Sequence, residues 1–196
     1  MFKYPYYIIM IKYLFYTTIV LCTLLYLYHT HVLNGMGYIQ SKIDQLYYRV
    51  RNQEDETEAA DTLAKINARV DTLLTYFKEK KMDEQENVKR LLQNYNPRRL
   101  HERPVDSRFP AYSIDKGEDI FICVREQNRG KVMKNINSIM YVMLHELAHI
   151  MTVSVGHTVE FWTNYDFLIK HAIEARVYHY EDYTRKNVMY CDERLQ

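Results

Sequence analysis

The stretch "MLHELAHIMTVSVGHTVEFW", residues 143–162, holds three of the chain's eight histidines. His145 and His149 stand four positions apart, so on an α-helix their imidazoles lie on one face and can be directed at a single ion. Glu146 projects about 100° away around the same helix. That direction places its carboxylate beside the ion, where it can take a proton from a metal-bound water. The spacing therefore predicts a single zinc ion with Glu146 as the general base.

A catalytic zinc site needs a third protein ligand and an open fourth position. His157 is the first candidate, because Gly156 before it can adopt a backbone angle that lets the chain leave the helix and return the imidazole to the ion. Glu174 and Glu160 are the alternatives. Glu160 is also a candidate to accept a hydrogen bond from a ligand imidazole. A closed, non-catalytic zinc site and a metal-free structural histidine pair also remain open.

The residues around the motif predict the fold. Apolar positions at helical spacing predict a helix over residues 135–152 and a second helix after His157. The second helix is expected to bury Phe161, Trp162, Phe167, Leu168 and Ile173. Upstream, "AYSI" and "DIFICV" read as two short strands joined by a turn that contains Gly117. The fold class is therefore α+β and mainly α, and residues 94–196 form the domain that carries the site.

At these residues a family resemblance appears. "HELAH" (residues 145–149) followed by "GHTVEFW" (residues 156–162) resembles the metal-binding stretch of the WLM and SprT-like zincin metallopeptidases. The layout also resembles WLM-like peptidases predicted in large nucleocytoplasmic DNA viruses. The resemblance implies a minimal zincin-like domain with zinc on His145, His149 and His157. One departure is Thr158, where the WLM pattern usually has Asp; any orienting role of that carboxylate is absent or passes to Glu160.

The N-terminal region, residues 1–30, differs in character from the rest of the chain. Residues 8–27 are nearly all apolar and span about 30 Å as a helix, the thickness of a bilayer's hydrocarbon core. Lys12 lies near one end, and tyrosines flank the run. These features predict a single membrane anchor, with a cleaved signal peptide or a buried core helix as alternatives. The basic residues on the two sides are too evenly balanced to predict the orientation.

Residues 31–93 are predicted to be helical. After the turn signal "NGMG", apolar residues follow heptad steps in two runs, 39–50 and 63–77. One interpretation is a coiled-coil stalk that mediates homo-oligomerisation through residues 39–77. The other, favoured because each run lasts only about two heptads, is a set of amphipathic helices packed on their own domain.

Composition excludes several classes of protein. The chain has 26 basic and 25 acidic side chains and a net charge of +1, so it has no global basic surface for nucleic acid. No nucleic-acid partner is expected. Its three cysteines are too few for a disulfide framework, and nothing in the sequence indicates a site for an organic cofactor.

Together these features predict a membrane-anchored zinc metallopeptidase that hydrolyses protein or peptide substrates. The bilayer would be bound through residues 8–27, and the expected location is a virion membrane or an internal membrane of a host. The alternative is a non-catalytic structural membrane or virion protein that keeps a zincin fold. A tethered hydrolase that acts on non-peptide amides is a third hypothesis.

Overall fold

A computed structural model describes residues 4–33, 35–126, 131–133, 135–191 and 193–195. The first three residues of the predicted anchor, Asn34 of the predicted turn, and residues 127–130, 134, 192 and 196 of the C-terminal domain lie outside this description. The chain divides into two compact units, residues 1–36 and residues 37–196.

The first unit consists mainly of one long helix, α1 (Tyr4–Leu33). Within it, Ile9–Tyr28 has a mean hydropathy of 1.7 over 20 residues, which is long and apolar enough to cross a membrane. Three threonines in this span donate their hydroxyls to carbonyls of the preceding turn, as Thr18 does to Leu14 at 2.5 Å. These bonds satisfy polar groups within the helix itself, which an apolar environment requires.

The second unit is α+β, as the sequence predicts, and it contains more helix than strand. Its helices are α2 (Glu56–Glu79), α3 (Glu86–Asn94), α4 (Ile136–Met151), α5 (Val159–Glu174) and α6 (Tyr183–Lys186). Its strands are β1 (Met36–Gln40), which begins at the unit boundary, then β2 (Tyr47–Arg51), β3 (Leu100–Glu102), β4 (Ala111–Ile114), β5 (Asp119–Ile122), β6 (Met189–Tyr190) and β7 (Glu193–Arg194).

The three-stranded sheet has the order β3-β5-β4. β4 and β5 form the predicted antiparallel hairpin, with Ala111 opposite Ile122, and β3 runs parallel to β5. Gly117 in the hairpin turn has φ +107°, and a Cβ there would approach the Ile150 side chain to 2.9 Å. Glycine is therefore required both by the turn and by the contact with α4.

Helix α2 packs on its own domain. The apolar positions of its heptad run, Leu63, Ile66, Val70, Leu73 and Phe77, are fully buried in the main core. The same side chains therefore cannot also form a seam with a second copy, and the structure favours the amphipathic interpretation over the stalk. Residues 37–93 belong to the same compact unit as the site, whereas the sequence predicted a separate region there.

The first heptad run does not form a helix. Its residues form β1, a turn and β2, so the helical prediction for residues 39–50 is wrong. Tyr48 and Val50 are both fully buried and alternate along β2, the period of two that is typical of a half-buried strand. Four apolar residues spaced by three and four positions fit a helix and an interrupted pair of strands equally well.

A disulfide joins Cys123, just after β5, to Cys191, between β6 and β7; their Cα atoms are 6.4 Å apart. No pattern in the sequence predicts this pair. Tyr190 is fully buried beside it and donates its hydroxyl to the Cys123 carbonyl at 2.6 Å. The C-terminal hairpin β6–β7 is therefore fixed to the end of the central strand.

Candidate metal centre

Two of the three site histidines project from α4. Asn135 caps this helix, since its side chain accepts from the backbone N–H groups of Asn137 and Ser138. One face is fully buried through residues such as Met143, Leu147 and Ile150. His145 and His149 lie at the edge of this buried face, partly buried, with ring centroids 4.9 Å apart. The predicted geometry of an i, i+4 pair is present.

His157 reaches the same place from the loop that connects α4 to α5. Gly156 has φ +83°, a backbone conformation that residues with a Cβ rarely adopt. This turn directs the imidazole of His157 back towards α4, where its Nε2 atom lies 3.0 Å from Nε2 of His145. Thr158 then caps α5 by accepting from the N–H of Phe161 at 3.3 Å. In this chain Thr158 therefore has a helix-capping role.

The three imidazoles fit a metal ion. One nitrogen from each of His145, His149 and His157 lies within 4.8 Å of the others. Two nitrogens that bind one tetrahedral zinc at about 2.0–2.1 Å are roughly 3.3 Å apart, close to the separation between His145 and His157. These side chains can together hold one metal ion.

The electrostatics of the cluster favour neutral imidazoles. Burial, and then the neighbouring imidazoles His149 and His157, lower the pKa of His145 to about 3. Burial, His157 and Lys116 lower the pKa of His149 to about 4. Only a neutral imidazole can bind a metal, so both side chains are ready to bind a cation at neutral pH.

Glu146 lies on the buried side of the pair. It is 3% exposed, and burial raises its pKa to about 7 although Ser113 donates a hydrogen bond that opposes the shift. Its Oε2 atom has no hydrogen-bond partner among the described residues. A buried carboxylate oxygen without a partner is costly, and it indicates a group that interacts with a bound water or ligand.

The histidines and Glu146 line a cavity of about 840 Å³. Strand β4 and the residues before it form one side, α4 and α5 form the floor, and residues 193–195 and the loop at Val155 complete the rim. The other lining side chains include Phe109, Tyr112, Ser113, Lys116, Tyr141, Trp162 and Tyr165. Trp162 was expected in the core but is 49% exposed, because it faces this opening.

The two alternative ligands make other contacts. The Glu160 carboxylate accepts from the backbone N–H groups of Val153 and Ser154, whereas the sequence analysis expected a bond from a ligand imidazole. Glu174 accepts from the Tyr76 hydroxyl at 2.6 Å and interacts with Nδ1 of His171 at 2.9 Å. Its helix carries that carboxylate to the α2 side of the domain.

From the sequence, Tyr165, Tyr178 and Tyr180 are candidate donors to an oxyanion, and His171 and His179 are expected at the surface. Tyr165 lies 5.7 Å from His145 between ring centroids and lines the cavity. Tyr178 is buried and Tyr180 is exposed, and neither lines the cavity. His171, expected at the surface, is 6% exposed because it packs against Phe167 and Phe77. Ser113 and Tyr141 also line the cavity, and no motif in the sequence identified them.

A family model and several relatives match this chain. The family model of the WLM domain matches residues 40–191. An uncharacterized protein of Acanthamoeba polyphaga mimivirus is 33% identical over 159 residues, which cover 79% of this chain and 80% of that protein. Uncharacterized proteins of invertebrate iridescent viruses 6 and 3 are 32% and 39% identical over 69 residues, or 35% of this chain and 38% and 42% of theirs.

Among solved structures, the crystal structure of a Wss1 mutant from Saccharomyces cerevisiae is similar to this chain. The two are 22% identical with a TM-score of 0.49, and the match covers 65% of this chain and 89% of that one. The family match, from the last residue of β1 to Cys191 of the disulfide, includes the three histidines and Glu146. The chain belongs to the WLM domain family, which has a metallopeptidase-like fold.

Proposed function

We propose that this protein is a membrane-anchored zinc metallopeptidase. One observation carries the proposal: three imidazole nitrogens lie within 4.8 Å of one another in an open cavity, beside a buried carboxylate. His145, His149 and His157 would hold the zinc ion. When bound there, zinc would lower the pKa of a coordinated water towards about 7 and polarise the carbonyl of a peptide bond.

Glu146 would act as the general base. Its free Oε2 atom and its place in the same cavity as the three imidazoles suit a group that accepts a proton and returns it. In this role it takes a proton from the attacking water and passes it to the amine that leaves. The hydrogen bond from Ser113 would hold the carboxylate in orientation. A buried, non-catalytic zinc site would have no use for this carboxylate.

The substrate would be a protein or peptide that reaches the cleft close to a membrane. Ile9–Tyr28 would anchor the chain. Tethering the enzyme and its targets to one bilayer raises their effective concentration without new contacts. Targets associated with the same membrane, such as virion or host-membrane proteins, would therefore be processed in preference to soluble ones.

Zinc content and peptide cleavage together test the catalytic proposal. The full chain in detergent micelles is compared with its Glu146→Gln variant, using a mixed-sequence fluorogenic peptide library. We expect one zinc per chain in both proteins and cleavage that falls by roughly 10²–10⁴-fold in the variant. Zinc binding without cleavage that depends on Glu146 would instead favour the structural alternative.

Alkaline carbonate extraction tests the anchor. The unaltered chain should stay with the membrane pellet. A variant with Leu14→Arg and Leu21→Arg should be released, since each charge at the centre of a span costs about 2.5–3.5 kcal/mol. Release of the unaltered chain would overturn membrane anchoring and leave the peptidase proposal intact.

A further inference from the structure

We propose that Glu160 is a positioning residue: it holds the loop that bears His157 in its ligand-binding conformation before any metal binds. This inference rests on the proposed function, because it concerns the third ligand of the same site. The loop runs from the end of α4 at Met151 to the start of α5 at Val159.

Glu160 reaches backwards from the first turn of α5 to this loop. Its Oε1 atom accepts from the N–H of Val153 at 2.9 Å, and its Oε2 atom accepts from the N–H and the hydroxyl of Ser154 at 3.0 and 2.8 Å. One carboxylate thus satisfies three donors of two consecutive residues. A charged acceptor makes stronger hydrogen bonds than a neutral one.

Two cations from other elements hold the same loop. Lys116 in the β4–β5 turn donates its Nζ to the Ser154 carbonyl at 2.7 Å. Arg90 on α3 donates its Nε to the Met151 carbonyl at 2.8 Å, and its guanidinium lies 3.7 Å from Glu160. Glu160 is the one group of these that belongs to the helix that follows His157.

Apolar packing cannot fix this loop, because its apolar side chains point outwards. Val153 and Val155 are 66% and 88% exposed. Polar contacts therefore determine the path of the chain to Gly156 and His157. The hydroxyl of Ser154 also lies 2.6 Å from that of Thr158, so the loop closes on itself just before α5.

The physical consequence concerns the metal. If the loop were free, part of the binding free energy would be spent on ordering it around the ion. With the loop set in advance, all three ligands are in place when the metal arrives. Loss of Glu160 should therefore speed metal dissociation more than it lowers the stability of the domain.

The test compares three variants of the full chain in detergent micelles: Glu160→Ala, Glu160→Gln and Asp166→Ala. Asp166 supplies the matched control, because it is an exposed acid on the same helix. Zinc dissociation is followed with a chromogenic chelator. The visible spectrum of the cobalt(II)-substituted protein reports the coordination geometry, and thermal unfolding in EDTA reports the stability of the metal-free fold.

We expect zinc to dissociate at least about tenfold faster from Glu160→Ala, with a weaker cobalt(II) absorption band. Glu160→Gln keeps one acceptor, so its zinc dissociation rate should lie between those of Glu160→Ala and the unaltered chain. The rate for Asp166→Ala should match that of the unaltered chain. A dissociation rate within twofold of the unaltered chain, or an unchanged cobalt(II) spectrum with a lower unfolding temperature, would overturn this role. Failure of the unaltered chain to bind zinc would instead overturn the proposed function.

Discussion

The Nε2 atoms of His145 and His157 lie 3.0 Å apart, although one belongs to a helix and the other to a loop. Two neutral imidazoles at this distance share at most one hydrogen bond. A cation between them is attracted by both lone pairs, and His149 adds a third nitrogen within 4.8 Å. To bring His157 this close to His145, the loop must turn back towards α4. A glycine with positive φ makes that turn, and a set of charged contacts holds the loop in place.

Removal of the third ligand should abolish tight metal binding. His157→Ala leaves two imidazoles on α4, so we expect zinc affinity to fall by more than about a hundredfold, since even outer-shell changes cost about 10–100-fold. Competition with a chelator of known affinity measures the change. His179→Ala, at an exposed histidine outside the cavity, is the control. If the His157 variant bound zinc as tightly as the unaltered chain does, another group would have to supply the third ligand.

The conformation of Gly156 should be needed for this ligand. A Cβ at this position meets nothing within 4 Å, so only the φ of +83° opposes a larger residue. Gly156→Ala should therefore cost about 1–2 kcal/mol in stability and weaken zinc binding. Gly156→Asn should cost less, because asparagine tolerates positive φ. Denaturant unfolding with and without zinc measures both effects; equal losses in the two variants would contradict this account.

The contribution of His145 and His149 to the stability of the metal-free protein should decrease as the pH falls below about 6.5. Unfolded histidine has a pKa of about 6.5, whereas burial lowers the pKa of His145 to about 3 and of His149 to about 4. Between these values the two histidines bind protons in the unfolded chain but not in the folded one, so their contribution to the free energy of unfolding decreases as the pH falls through this window.

Thermal unfolding in EDTA between pH 8 and pH 4 measures this dependence. The double variant His145→Asn with His149→Asn cannot bind these protons in either state, so its unfolding temperature should fall less steeply with pH. An identical pH dependence in both proteins would show that other groups control acid stability.

The two histidines on one helix face and the hairpin of the sheet could be predicted from the sequence, because each depends only on neighbouring residues. The pair His145 and His149 requires only a helix, and the β4–β5 hairpin requires only a turn between two strand-like runs. The helical prediction for residues 39–50 was wrong because spacing by three and four does not distinguish a helix from two short strands. Two features could not be predicted: the pairing of Cys123 with Cys191 and the contacts of Glu160. Both depend on tertiary contacts between elements, which one sequence alone does not show.

The disulfide should contribute strongly to stability. It closes a segment with a sequence separation of 68, for which loop-closure entropy gives about 4 kcal/mol. Replacing Cys123 and Cys191 together by serine should lower the free energy of unfolding by about that amount. Cys22→Ser, at the exposed free cysteine of α1, is the control. Urea unfolding of the oxidised proteins beside the unaltered chain measures the difference.

A buried ion cluster should make the domain sensitive to the loss of a single charge. Arg125 is fully buried and donates its Nε to Glu102 Oε1 at 2.7 Å; Glu102 is also fully buried and accepts from the Arg51 N–H at 2.8 Å. Arg125 also pairs with Asp55 next to α2. The cluster therefore joins β2, β3, the segment after β5 and the start of α2.

Arg125→Met would leave the Glu102 carboxylate buried without its strongest partner, and we expect a loss of about 3–5 kcal/mol. The double variant Arg125→Met with Glu102→Gln removes the isolated charge and should recover part of that loss. Urea unfolding of both variants beside the unaltered chain measures the difference. A double variant as unstable as the single one would mean that the cluster stabilises the domain by packing and not by charge.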